Sequence, residues 1–365
     1  MTRPGPVPHA GPTNVEFRTN AVRKTFENIF LLSFLTAFSM SLYALPNPYR
    51  AAGPWAKLPD GRDMGAVGDL TMDPDAQHLW AIVRCDASGP DRFGDECLDS
   101  ELDPVLKFDL DGTVVQSFGG GMFVWPHGLD VDAEGNVWVT DAVADTRKGG
   151  GSRGHQVVKF SPEGEVLMVL GTPGETGAGP DHFDRPSDVV VADNGDIFVA
   201  DGHSRKGNNR IVKFASDGTY LKEWGSTGYG PGEFRQPHAI AIDERGRVFV
   251  ADRQNNRIQI FDQDGAFIAQ WTQFGRPSGI TFDEHDTIYV ADSESDNVQN
   301  PGWEMGIRIG DAESGWVRYF ILLPAGDPRI QKGNGAEFVA VDQEGNLYGG
   351  EPSTRKLQKY VRVRP

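Results

Sequence analysis

From residue 66 onward, short apolar runs alternate with polar turn residues in one recurring pattern. Five segments carry it most clearly: "PHGLDVDAEGNVWVTD" (126–141), "PSDVVVADNGDIFVAD" (186–201), "PHAIAIDERGRVFVAD" (237–252), "PSGITFDEHDTIYVAD" (277–292) and "AEFVAVDQEGNLYGGE" (336–351). Each predicts a strand, a tight turn and a second strand, with acidic or Asn residues beside Gly at most of the turns. Most are followed by a second hairpin, such as "NRIVKFASDGTYLKEWG". A weaker copy, "AVGDLTMDPDAQHLWAIVR" (66–84), precedes "PVLKFDLDGTVVQSFG". Six copies of a four-strand unit predict an all-β fold, a six-bladed β-propeller of four-stranded antiparallel blades around a central channel. The sixth copy stops after "KLQKYV" and lacks a fourth strand; "WAKLP" (55–59) is expected to supply it and lock the first blade to the last.

The repeats can be aligned on their turns. Eight residues before the turn residue stand His127, Ser187, His238, Ser278 and Glu337 in blades two to six, and a residue near Gly68 in blade one. The first strand of a blade lines the channel, so this position forms a ring at one mouth. The potential ligands fall on alternate blades, about a third of a turn apart, and can converge on the axis. Two His and one carboxylate are a known catalytic zinc set that leaves a position for water or substrate. A carboxylate at the start of an apolar strand also needs a partner, because burying it alone is costly.

Fourteen residues beyond the ring position stand Asp141, Asp201, Asp252, Asp292 and Glu351. An acid in nearly every blade predicts a structural role, accepting hydrogen bonds from loop N–H groups. The residue after the acid varies. It is Arg253 in blade four and, allowing one inserted residue, Arg84 in the opposite blade one. Arginines at a channel mouth suit a two-pronged grip on a carboxylate. Blade three carries "DGHSRKGNNRI", whose His203 is a candidate general base. Asp188 and His182 read as structural, and Trp303 and Met305 as an insertion packed on blade five.

The stretches "GRVFVADRQNNRI" and "NNRIQIFDQDG" resemble the NHL family of propellers. Within it, "WPHGLDVDAEGNVWVTD", "DHFDRPSDVVVADNGDIFVADG" and "PHAIAIDERGRVFVADRQNNRIQ" are similar in order and spacing to the peptidyl-α-hydroxyglycine α-amidating lyases, especially the bacterial ones. The resemblance implies a C–N lyase with a divalent metal, zinc, held by three His. His127 and His238 match the first two, and Glu337 stands at the third. It also implies arginines at Arg84 and Arg253, and a catalytic tyrosine where this chain has His203. The expected substrate is a small molecule or peptide with a carboxylate, and the protein is expected to be a monomer. A non-catalytic propeller that binds a protein or ligand is the alternative. A calcium-dependent lactonase site, which needs mostly oxygen donors, is disfavoured by the two ring His.

Composition adds limits. The formal net charge of −17 over 365 residues excludes a nucleic-acid partner that needs a basic surface. Arg18, Arg23 and Lys24 precede "NIFLLSFLTAFSMSLYAL", uncharged from Asn28 to Leu45. Residues 1–45 therefore read as an export signal, or as an N-terminal membrane anchor, with the propeller at 46–365 outside the cytoplasm, periplasmic or secreted. In that setting Cys85 and Cys97 can close a disulfide, with two free thiols as the alternative.

Overall fold

The computed structural model describes residue 5 and residues 45–59, 61–85, 96–145, 147, 153–323 and 335–363. The N-terminal segment read as signal or anchor lies outside the described residues apart from residues 5 and 45. Among the described residues no helix is long and apolar enough to cross a membrane.

Six four-stranded antiparallel sheets follow one another along the chain, at 67–118, 126–170, 186–224, 237–271, 277–322 and 338–362. The sixth sheet gains its outer strand from the other end of the chain: Tyr49–Ala51 pairs with Lys356–Arg362, with Tyr49 opposite Arg362. The ring is thus closed by residues 49–51, and the expectation for 55–59 is corrected. Trp55 instead packs on Phe108 and Tyr348, its indole N–H donating to the Leu110 carbonyl at 2.9 Å, and Lys57 bridges to Thr113 in blade one. A large apolar ring with one N–H is better used as a plug between blades one and six than as an edge strand.

The turn between the first two strands is left-handed in every blade. Glycine fills it in four blades (Gly135, Gly195, Gly246, Gly345), and Ala76 and Asp286 in the other two. Counting back from Ala76 fixes Gly68 as the ring residue of blade one. A Cβ there would stand 3.0 Å from the His127 carbonyl oxygen, so this blade has little room for a ring side chain.

Neighbouring blades are latched at the channel. Asp69 of blade one accepts from Leu129 N–H of blade two at 2.8 Å, Asp130 from Val191 at 2.8 Å, and Asp188 from Ile240 at 2.9 Å. Each carboxyl oxygen so placed satisfies a strand N–H that would otherwise be orphaned at the bore. The second strand of each blade buries one aromatic side chain: Trp80, Trp138, Phe198, Phe249, Tyr289 and Tyr348. Where that ring has a polar tip, it donates to the turn aspartate of its own blade, as Trp80 does to Asp73 at 2.8 Å and Tyr348 to Asp342 at 3.0 Å.

Candidate metal centre

The ring histidines sit where the ladder slips. In blade two Pro126 pairs with Asp141, but the next paired residue is Leu129; in blade four Pro237 pairs with Asp252 and the next is Ile240. His127 and His238 lie inside these irregularities, which turn a side chain away from the ordinary strand alternation. The loop acids pin the entry to each strand. Asp141 accepts from Val124 and Trp125 N–H, and Asp252 from Arg235 N–H at 2.7 Å. Asp201 and Asp292 do the same for Asp184 and Arg276, at 2.7 and 3.0 Å. These four acids have the structural role expected of them; Glu351, the fifth, accepts from the Thr354 hydroxyl at 2.6 Å instead. Burial pushes Asp141 up to about 7 against those N–H bonds.

His127, His238, Glu337 and His203 converge, with ligand-capable atoms all within 4.8 Å of one another. His127 and His238 are buried completely and Glu337 nearly so. Each ring histidine is oriented by the next blade: His127 Nδ1 lies 2.7 Å from the Ser187 carbonyl oxygen and His238 Nδ1 2.8 Å from that of Ser278. A carbonyl only accepts, so the proton is on Nδ1 and the Nε2 lone pair faces the site. Among the described residues neither Nε2 has a hydrogen-bond partner. Metal-binding histidines are typically held this way, with the outer nitrogen donating to a carbonyl or carboxylate.

The charges fit that reading. Burial holds both ring histidines below the ordinary imidazole value, with His238 adding to the effect at His127 and Arg253 at His238. Burial also lowers His203, helped by His127, His238 and Arg253. Three neutral imidazoles result. For Glu337, burial works upward, but the interactions with His238, His127 and Arg253 outweigh it and keep the carboxyl below its ordinary range; with the imidazoles neutral, the cation that stays beside the ionised carboxylate is Arg253. Glu337 Oε1 lies 3.2 Å from His238 Nε2 and 3.2 Å from Arg253 Nη1. A neutral His238 Nε2 without a donor thus faces a carboxylate oxygen that accepts from Arg253, in a buried pocket where an unpaired acceptor is costly. The donor set of imidazole nitrogens and a carboxylate can hold a divalent metal.

Arg253 stands at the head of a one-turn helix, Arg253–Asn255, and is buried. Its Nη2 lies 3.3 Å from His203 Nε2 and its Nη1 3.5 Å from Glu294 Oε1. Glu294 is in turn held by Arg276 at 3.0 Å, and Arg276 donates to the Arg253 carbonyl at 2.8 Å. Arg84 is further out. It lies over the Trp125 ring at 4.8 Å, donates from Nε to the Pro126 carbonyl at 2.9 Å and is 3.7 Å from Glu96. Trp125 in turn meets His127 and His203 edge-on at 5.0 Å each. Phe338 floors the centre, 5.6 Å from the His127 ring and 5.4 Å from that of His238. It also lines a channel cavity of about 170 Å³ with Asp69, Asp130 and Asp188.

All six site residues singled out in the sequence are therefore in one neighbourhood, with Arg84 one aromatic ring removed. Sequence reading missed Trp125, Glu294, Arg276 and Phe338. Trp125 directly precedes the "PHG" of blade two and had a positional signal; Glu294 and Arg276 meet Arg253 only across a blade boundary. His182 lies outside the centre, paired with Asp181 at 2.7 Å. Met305 is buried and Trp303 stacks on Arg308 within blade five, as expected of a packed insertion. Cys85 and Cys97 form a disulfide next to Arg84 and Glu96.

The NHL repeat model matches residues 183–214 and 234–261. Human NHL repeat-containing protein 3 is 39% identical over 173 residues, 46% of this chain and 48% of that protein. Peptidyl-alpha-hydroxyglycine alpha-amidating lyase 1 of Drosophila melanogaster is 36% identical over 173 residues, 44% of this chain and 29% of the lyase. Peptidylglycine alpha-amidating monooxygenase of Rattus norvegicus is 37% identical over 45% of this chain and 16% of its own length. The matches thus span about half, or less, of these relatives. Among solved structures, virginiamycin B lyase from Staphylococcus aureus with quinupristin superposes with a TM-score of 0.53 at 16% identity, covering 85% of each chain. A gluconolactonase from Xanthomonas campestris gives 0.56 at 14% identity, covering 88% of this chain and 96% of that one. Both show the fold alone.

Proposed function

Because the chain is an NHL-repeat six-bladed propeller, homologous over part of its length to peptidylglycine α-amidating enzymes and lyases, we propose that it is a metal-dependent C–N lyase. Its substrate is a small or peptidyl α-hydroxyglycine bound at the mouth of the channel. The observation that carries this reading is the pair of His Nε2 lone pairs, each fixed by a carbonyl on its other nitrogen, facing an ionised Glu337.

In this reading His127, His238 and Glu337 hold the ion, and three such donors on their own describe a catalytic zinc site. When bound, the ion supplies a Lewis acid for a substrate oxygen. The residues around it bind and orient. Arg253 Nε and Arg84 Nη2 are buried N–H groups without an acceptor among the described residues, and the substrate carboxylate supplies one. Glu294 and the Arg276 bond to its carbonyl keep Arg253 near the site before substrate arrives. Trp125 and Phe338 wall off water, which strengthens every charge interaction inside. The reaction balances without a co-reactant. The α-hydroxyl loses its proton, its C–O bond becomes the C=O of glyoxylate, the C–N bond breaks and nitrogen takes up a proton to give the primary amide.

The test is glyoxylate release from an N-acyl-α-hydroxyglycine by the metal-loaded chain. The expected result is release that stops on chelation. Release no faster than the spontaneous reaction overturns the substrate assignment.

A further inference from the structure

His203 stands where a proton acceptor is expected from the sequence, yet it does not stand back from the ligand set. Its ring centroid is 4.5 Å from that of His127 and 4.9 Å from that of His238, and His127 and His238 are 4.8 Å apart. The three imidazoles thus form a nearly equilateral cluster, which leaves no gap for a substrate between His203 and the other two. Arg253 treats His203 and Glu337 alike. One guanidinium nitrogen lies 3.2 Å from Glu337 Oε1 and the other 3.3 Å from His203 Nε2. A guanidinium only donates, so His203 Nε2 also carries a lone pair, directed at the same Arg253 that caps Glu337.

We propose that His203 Nε2 is the fourth protein donor, so that the centre is a three-imidazole, one-carboxylate site. The inference rests on the metal reading above and changes what that reading implies about the ion. Four protein donors complete a tetrahedral ion and leave no position for a substrate oxygen. A working centre of this composition needs an ion that takes five or six ligands, in the class of Mn²⁺, Fe²⁺ or Co²⁺. The four donor atoms lie within 4.8 Å of one another, close enough to share one ion. Arg253 is then the group the ion displaces: in the metal-free chain it covers two of the four lone pairs, and on loading it turns to the substrate carboxylate.

The test uses the full chain and two ions, with no activity readout. With ¹¹³Cd²⁺ bound to chain labelled with ¹⁵N at histidine, three imidazole nitrogens are expected to couple to cadmium. Coupling at only two overturns the assignment of His203 and leaves the metal centre standing. Absence of any bound cadmium overturns both readings. This measurement needs no substitution and so does not depend on how well a variant folds. In parallel, Co²⁺-loaded chain is expected to show the weak visible bands of a five- or six-coordinate ion. His203→Gln and His203→Phe, checked for an unchanged circular dichroism spectrum, are expected to bind Co²⁺ at least ~10-fold more weakly and to shift those bands. Affinity within twofold of the parent chain together with an unchanged spectrum overturns the proposal.

Discussion

His238 Nε2 lies 3.2 Å from Glu337 Oε1 with no hydrogen bond between them, because the histidine proton is committed to the Ser278 carbonyl on the other side of the ring. Two electron pairs held face to face in a buried site are tolerable when a cation sits between them or nearby. In the metal-free chain Arg253 provides part of that charge. His238→Ala and Glu337→Gln are each expected to weaken divalent-metal binding more than ~100-fold, beyond the 10–100-fold usual for groups that merely support a ligand. Titration calorimetry with Co²⁺ or Zn²⁺ checks this. Loss in one variant but not the other means that the ring does not act as one site.

Two groups of buried titrating residues give opposite pH dependences, so difference measurements are the way to read them. His127, held low chiefly by burial, stays neutral in the fold. As pH drops below the ordinary value of about 6.5, the unfolded chain takes up a proton that the folded chain refuses, and stability is lost. His127→Leu is therefore expected to gain in Tm relative to the metal-free parent as pH falls from 7.5 to 5.5. Asp69 shows the reverse. Burial pushes it up to about 8 beside Asp188, so the fold holds a proton that the unfolded chain releases above about 4, and its contribution is lost as pH rises toward 8. Asp69→Asn is expected to gain on the parent as pH rises from 6 to 9. A pH-independent difference in either series contradicts the assignment.

The Cys85–Cys97 bond closes a loop with a sequence separation of 12. Restricting the unfolded chain over such a loop is worth about 3 kcal/mol in the chain-entropy account. Cys85→Ser with Cys97→Ser is expected to lose roughly that amount in a denaturant titration. It also frees Arg84, which follows the blade-one strand directly into Cys85, so KM for a carboxylate substrate is expected to rise more than kcat falls. Equal stability of the two forms contradicts the structural role of the bond.

Closure by Tyr49–Ala51 makes the two ends of the propeller one cooperative unit. Deleting residues 46–60 removes that strand and the Trp55 plug, exposing the edge of Lys356–Arg362. The expected result is a Tm lower by several degrees and a broader transition. An unchanged melting curve contradicts closure by this strand.

The blades were legible because Asp, Glu or Asn beside Gly marks most of the turns, and the ring followed once every blade was aligned on its left-handed residue. That alignment put His127, His238 and Glu337 at one level from three distant stretches of chain. What it could not show lies between blades. The carbonyls of Ser187 and Ser278 fix the histidine protons, and nothing in their side chains announces it. Glu294 and Arg276 matter because the chain brings blade five against Arg253, a relation without a local pattern. The closing strand was misplaced because "YRA" is too short and polar to read as a strand, whereas "WAKLP" offers a large apolar residue whose actual use is packing. His203 stands outside the aligned ring in sequence, and the bend after Asp201 carries it to the other three donors, a relation the repeat alignment does not contain.

The most direct test of the central claim is the metal content of the purified full chain together with its melting temperature before and after chelation. The account predicts about one divalent ion per chain, a clear fall in Tm when it is removed, and recovery when it is restored, because an ion that binds only the folded state stabilises it by mass action. A metal-free protein whose Tm does not rise on adding divalent metal would contradict it.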